Sequence, residues 1–193
     1  MLEVMVAILV LSLGLLGVAG LQTATAKYRV NTQANASVAQ LVGALTEKIR
    51  ANPNAAGQGY DSTNVQVISK YLLNDSYATQ ATSAISDAAV DCGSATCTAD
   101  QKADYDMVEW KRLLKISLPQ GAGWVEGGRL AGFNIWVMWM DKEQTESPSS
   151  GSTRSLIKAP VCGTTTVDTV FNCCPSGANV PAGVRCTRFS LVP

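Results

Sequence analysis

The first 21 residues decide most of what this chain can become. From Met1 to Leu21, sixteen residues are Ala, Val, Ile, Leu or Met, and the others are Gly14, Gly17, Gly20, Ser12 and Glu3. About 20 such residues, at a helical rise of ~1.5 Å each, cross a bilayer core of ~30 Å. The block lacks the basic opening of a secretory signal and exceeds the roughly 7–15 apolar residues of one. It reads as an uncleaved single membrane anchor, residues 1–22. The first proline is Pro53, so nothing but the three glycines interrupts a helix before it. Val38, Leu41, Val42, Leu45 and Ile49 recur at helical spacing among polar residues. The expectation is one helix ending near Asn52, on the order of 78 Å long. Residues 1–22 form its apolar half, and residues 23–52 form an amphipathic half with one stripe suited to a sheet.

Beyond Pro53 the chain has the material for one exported head, residues 53–193. The whole chain has 193 residues, enough for a core plus an appendage. Its 15 basic and 15 acidic residues cancel, which excludes a strongly basic nucleic-acid binder. There is no histidine, so His-based triads, His–metal sites and histidine pH switches are excluded together. Charge is nevertheless uneven. Residues 1–53 carry +2, residues 54–110 carry −6 and residues 111–193 carry +4. Such a division suits contact with other subunits or a plain solvated surface.

Residues 53–105 are rich in Ala, Ser, Thr, Asn and Asp, and read as a long, partly helical connection, with a short helix near Val65–Leu73. Asp106-Met-Val-Glu109 fits a capping box with Asp in place of Ser or Thr, so a short helix is expected over 106–118, ended by Pro119 and Gly121. The period then changes to two. Phe133, Ile135, Val137 and Trp139 alternate with Asn134, Trp136, Met138 and Met140, a central strand covered on both faces. Trp124-Val125-Glu126 before Gly127-Gly128 reads as its hairpin partner, and Arg185 to Val192 as a last strand. Residues 123–193 thus hold an antiparallel sheet and a C-terminal cysteine region, with a flexible loop at 147–152. The fold class is α+β.

Glu3 and the glycines are the main candidate site residues. A carboxylate in an apolar block costs roughly 2.5–3.5 kcal/mol at mid-membrane. One near the end of the block can simply reach the interface. The nearest cation in sequence is Lys27, some 36 Å away along a helix, so an intramembrane partner has to come from another chain. Gly14, Gly17 and Gly20 each cost about 1 kcal/mol relative to Ala in a helix interior. They suit either a close-packing face between membrane helices or a weak point where the helix loses its regular bonds.

Met1-Leu2-Glu3-Val4-Met5-Val6-Ala7-Ile8-Leu9-Val10-Leu11 resembles the mature start of a class III signal prepilin. In that family a short basic leader is removed, the new N-terminal residue is methylated, and a glutamate stands fifth in the mature chain. Here the glutamate is Glu3, so the chain is expected to begin two residues inside the mature end. Leu9 to Gln22 is similar to the minor pilins called PilV, the type IV pilus modification proteins. So are Asp106 to Trp110, Leu118-Pro119-Gln120-Gly121-Ala122-Gly123, Phe133 to Trp139 and Arg185-Cys186-Thr187-Arg188. The match is strongest over residues 1–50.

The resemblance implies a type IV pilin-like fold, ladle-shaped, with half the long helix exposed and half packed on the sheet. It implies that Glu3 pairs with the N-terminal amine of a neighbouring subunit, and that the helix near Gly14–Gly20 can melt in a filament. It also implies an inner-membrane protein with a periplasmic head that enters a type IV pilus. There it would prime assembly and share the tip with other minor pilins, the major pilin and a PilY-type adhesin. No cofactor, metal, enzyme activity or nucleic-acid partner is expected. The alternatives are a minor pseudopilin of type II secretion and a membrane-tethered ligand- or DNA-binding module; a periplasmic enzyme is the remotest.

The six cysteines, Cys92, Cys97, Cys162, Cys173, Cys174 and Cys186, suit disulfides in an exported domain better than zinc, since no Cys-x-x-Cys and no histidine occur. Cys92–Cys97 is the natural local loop. Adjacent side chains in extended chain point opposite ways, so Cys173 and Cys174 take different partners. Cys162–Cys173 with Cys174–Cys186 is preferred, and the exchanged pairing stays open. Asp100, Asp104, Asp106 and Glu109 suggest a calcium site, but helix capping accounts for two of them. Trp110, Trp124, Trp136 and Trp139 fall on core periodicity rather than on a ligand platform.

Overall fold

A computed structural model of the chain describes residues 2–57, 68–145, 155–163 and 171–193. The first element, α1, spans Leu2–Ala51 and contributes to two units, Met1–Ser37 and Val38–Pro193. Its continuity follows from the absence of proline. It stops at Asn52-Pro53, since the residue before proline is pushed out of the α region, and Lys48 and Arg50 occupy its last turn, where cations suit the helix dipole.

Within the first unit, Glu3–Ala26 is long and apolar enough to cross a membrane, and none of it is buried by the chain itself. Within the second unit the expected stripe is all buried: Val38, Leu41, Val42, Leu45 and Ile49.

Two further helices are α2, Tyr77–Thr82, and α3, Ala99–Ser117. Strands β1 (Ala122–Gly128), β2 (Gly132–Met140) and β3 (Val184–Leu191) form an antiparallel sheet in the order β1-β2-β3. The central strand is the one whose two alternating sets are both mostly apolar. Its register pairs Trp124 with Trp136 and Met138 with Cys186.

The sheet buries both faces. On one face Gly123 lies against Trp110 and Leu114 of α3, where any Cβ would collide with the indole. The indole Nε1 of Trp110 in turn donates to Leu41 O at 3.0 Å, fastening α3 to α1. On the other face Trp124, Trp136, Met138, Val184 and Cys186 form a second cluster with Tyr77, Ala159, Cys174, Ala178 and Val180. All four tryptophans are buried, so they are core residues.

Two expectations need correction. The helix expected over 106–118 begins seven residues earlier. Thr98 is its N-cap, in a capping box with Gln101, and Asp106 lies in its interior rather than at its start. Within the helix expected near Val65–Leu73, residues 68–73 hold a turn and a single β-bridge from Leu73 to Val125. Its start, Val65 to Gln66 and Val67, lies outside the described residues, as does the loop at 147–152.

The molecule is therefore α+β: a long apolar N-terminal helix, helices packed on a three-stranded antiparallel sheet, and disulfides towards the C-terminus. That is a pilin-like architecture.

Candidate assembly site

Glu3 stands in the first turn of α1, exposed, on a helix whose next cation in sequence is Lys27. Among the described residues it has no ion-pair partner. Around it, twelve large aliphatic side chains between Val4 and Leu21 are more than half exposed. Burying each is worth roughly 1.5–3 kcal/mol, so the drive to cover the segment is on the order of 20–35 kcal/mol. That is about ten times the roughly 2.5–3.5 kcal/mol cost of one mid-membrane carboxylate. The segment is thus driven into apolar surroundings, and the carboxylate goes with it.

Gly14, Gly17 and Gly20 stand in unbroken helix, and a Cβ at any of them would meet nothing within 4 Å. Nothing among the described residues requires glycine there. Nearby hydroxyls bond back to helix carbonyls, Ser12 to Leu9 O and Thr23 to Gly20 O, both at 2.8 Å.

The cysteines form three disulfides: Cys92–Cys97, Cys162–Cys173 and Cys174–Cys186. Cys173 and Cys174 thus take different partners. Cys174 and Cys186 are fully buried and tie the C-terminal segment to β3. Cys92–Cys97 instead closes a surface loop ahead of α3. There the Gly93 N–H, and then the Ser94 hydroxyl, hold Asp91 below the usual carboxylate range.

Three of the four carboxylates considered for calcium, Asp100, Asp106 and Glu109, have partners within the head. Asp100 pairs with Lys70 at 3.4 Å, and Glu109 with Arg112 at 2.8 Å, which also pairs with Asp87. Asp106 is buried, and its Oδ1 lies 3.2 Å from Lys48 and 3.1 Å from Lys102. Its Oδ2 faces the Tyr71 hydroxyl at 3.2 Å. Asn52 Nδ2 donates to Tyr71 Oη and to Ala99 O, which links the end of α1, residues 70–71 and α3 in one polar cluster. Burial first, and the neighbouring Asp106 charge as well, push the Tyr71 hydroxyl up to about 12. Burial alone pushes Tyr77 up to about 12.

Sequence reasoning missed this cluster because it placed Asp106 at a helix end. The Thr98-Ala-Asp-Gln101 box was the available signal, since it puts Lys102 one turn before Asp106.

A cavity of about 540 Å³ lies between residues 70–89 and α3, floored by Leu73, Met107 and Leu114. Three lysines and three aspartates line it, so its charge selects no ligand class. One N-terminal apolar helix and a disulfide-bonded head mark a single-pass or secreted protein with an extracytoplasmic domain. Comparison with family models, with curated proteins and with solved structures returned no match to this chain.

Proposed function

We propose that this chain is a PilV-type minor pilin: a structural subunit, not an enzyme, that is held in the inner membrane and then incorporated into a type IV pilus. There it primes assembly and joins other minor pilins, the major pilin and a PilY-type adhesin at the tip. The observation that supports this most is Glu3, a carboxylate with no ion-pair partner among the described residues, on a 24-residue apolar span of which none is buried. In an apolar filament core a neighbouring N-terminal ammonium would be strongly attracted to it, and leaving either charge alone would be costly. The division of charge between residues 54–110 and 111–193 suits contact with a different subunit at least as well as self-stacking.

Quantitative mass spectrometry of sheared, purified pili tests the reading. The expected result is this chain at a copy number far below the main filament subunit, with pilus number reduced when it is deleted. A copy number comparable to the main subunit, or absence from pili, overturns the minor-pilin reading.

A further inference from the structure

Two cations close the apolar span. Lys27 and Arg29 follow directly on Glu3–Ala26 and are the only basic residues of the unit Met1–Ser37. The only carboxylate of that unit is Glu3, about 39 Å from Arg29 along the helix at ~1.5 Å per residue. The next acidic residue in sequence is Glu47, which pairs with Arg50 at 3.4 Å. Arg29 is exposed, and among the described residues it has no ion-pair partner.

Orienting the chain is not the use of these cations. Lys and Arg beside a span favour the cytoplasmic side, whereas the disulfide-bonded head to which they lead is extracytoplasmic. Their position fits an interface instead. The span has 24 residues, or about 36 Å at ~1.5 Å each, a little more than the ~30 Å of a hydrocarbon core. Its end therefore falls among lipid headgroups. Tyr28, 76% exposed, stands in the same turn, where an aromatic ring with a polar tip suits that layer.

Arg29 also closes one end of a shallow groove along α1. Val18, Leu21, Gln22, Thr25, Ala26 and Arg29 line it, spaced i, i+3, i+4, i+7, i+8 and i+11 on one helix face. The groove is aliphatic at Val18 and Leu21 and cationic at Arg29. The Thr25 hydroxyl donates to Leu21 O at 2.8 Å, so the donors offered outward are those of Gln22 and Arg29. An acyl chain beside Val18 and Leu21, with its phosphate at Arg29, matches that order. A guanidinium takes a phosphate through two parallel hydrogen bonds.

We propose that this groove is a seat for one anionic phospholipid, with its phosphate on Arg29 and an acyl chain along Val18 and Leu21, and that it sets the depth at which the chain is held in the membrane. The inference rests on the membrane reading above and adds the lipid class. A zwitterionic lipid brings a cation together with its phosphate, so an anionic headgroup answers the local +2 of Lys27 and Arg29 better.

The test uses full-length protein reconstituted in phosphatidylcholine vesicles with and without phosphatidylglycerol. A carbonate wash first separates embedded from stripped chain. Native mass spectrometry after gentle detergent release then counts the lipid kept by wild type, Arg29→Gln and Lys27→Gln. Wild type should stay embedded and keep phosphatidylglycerol in preference to phosphatidylcholine. Arg29→Gln should stay embedded and keep about fivefold less phosphatidylglycerol. Lys27→Gln removes the same charge from the opposite side of the helix, two positions away, and should lose less than about twofold. A wild-type chain stripped by carbonate overturns the membrane reading and this inference with it. For an embedded chain, the inference alone is overturned by equal retention of the two lipids, or by equal losses in the two variants, which would mean diffuse charge attraction. Unchanged retention in Arg29→Gln, the result if Arg29 answers a neighbouring chain's carboxylate, overturns it as well.

Discussion

Residues 3–26 and residues 38–51 belong to the same helix and differ in nearly everything except backbone. In the first stretch the aliphatic side chains are mostly exposed, and Leu16 and Leu21 reach 70% and 71%. In the second, Leu45 and Ile49 are wholly buried against the chain's own core. The second stretch spaces its apolar residues along one stripe, because one face meets the sheet and helices while the other meets water. The first is apolar all round and unburied among the described residues, so it calls for apolar surroundings rather than water. A residue there, Glu3 above all, is to be judged by what surrounds the assembled or membrane-inserted protein.

That contrast predicts where substitutions will be felt. Glu3→Ala should leave unfolding of the head unchanged and still lower the amount of the chain in sheared pili by tenfold or more. Truncating one member of a buried charge pair costs roughly 2–5 kcal/mol, and a tenfold change needs only about 1.4 kcal/mol. Glu3→Gln, which keeps the shape and loses the charge, should behave alike. Immunoblots of sheared pili against the membrane fraction measure this, and wild-type incorporation of either variant would remove the pairing role.

The mirror-image case is Asp106, buried in the head and tied to both lysines. Asp106→Ala should destabilise the head by about 3 kcal/mol, at the low end for a broken buried pair because Lys48 and Lys102 remain partly hydrated. Incorporation should follow the loss of folded protein and no more. Denaturant unfolding of Asp106→Ala, Lys48→Met and the double variant separates the pair's coupling from the cost of burial. Additive single effects would show that the contact contributes nothing.

Much of the fold was legible because its signals are local. The run without proline marks α1, the change to a period of two marks β2, and Gly127-Gly128 mark the end of β1, just ahead of the turn at 129–131. Two features were not legible, for different reasons. The start of α3 was misplaced because Asp106 and Glu109 imitate a capping box, while the real one at Thr98 opens a polar turn with no apolar periodicity. Gln80, whose side-chain amide bonds both backbone groups of Gly123 on β1, was invisible because that partner is 43 residues away and backbone carries no sequence signature. Glu3 was legible as an anomaly, since a lone carboxylate in an apolar block needs no neighbours to be noticed.

The buried tyrosines give a pH test confined to the head. An unfolded tyrosine ionises near 10, whereas Tyr71 and Tyr77 do so near 12. Their folded-state values are raised, so their contribution is intact below pH 10 and is lost as pH rises through 12. Each should remove about 2–3 kcal/mol of stability across that window. Tyr71→Phe should flatten the Tyr71 share of the alkaline slope, and an unchanged slope would show that Tyr71 titrates normally.

The smallest effect on the head belongs to the glycines. An alanine methyl at Gly17 touches nothing among the described residues, so Gly17→Ala should leave head stability within about 0.5 kcal/mol. Any larger consequence has to arise between chains. If glycine is there to let helices approach, Ala should lower incorporation and Pro should lower it further. If it is there as a weak point, Pro should be tolerated, while Ala, which favours helix by about 1 kcal/mol, should impede assembly. The unbroken helix through Gly14, Gly17 and Gly20, with the Thr23 hydroxyl bonded back to Gly20 O, favours the close-packing outcome. Sheared-pilus yields of the Ala and Pro variants decide it, and a well-incorporated Gly17→Pro chain would reverse the assignment.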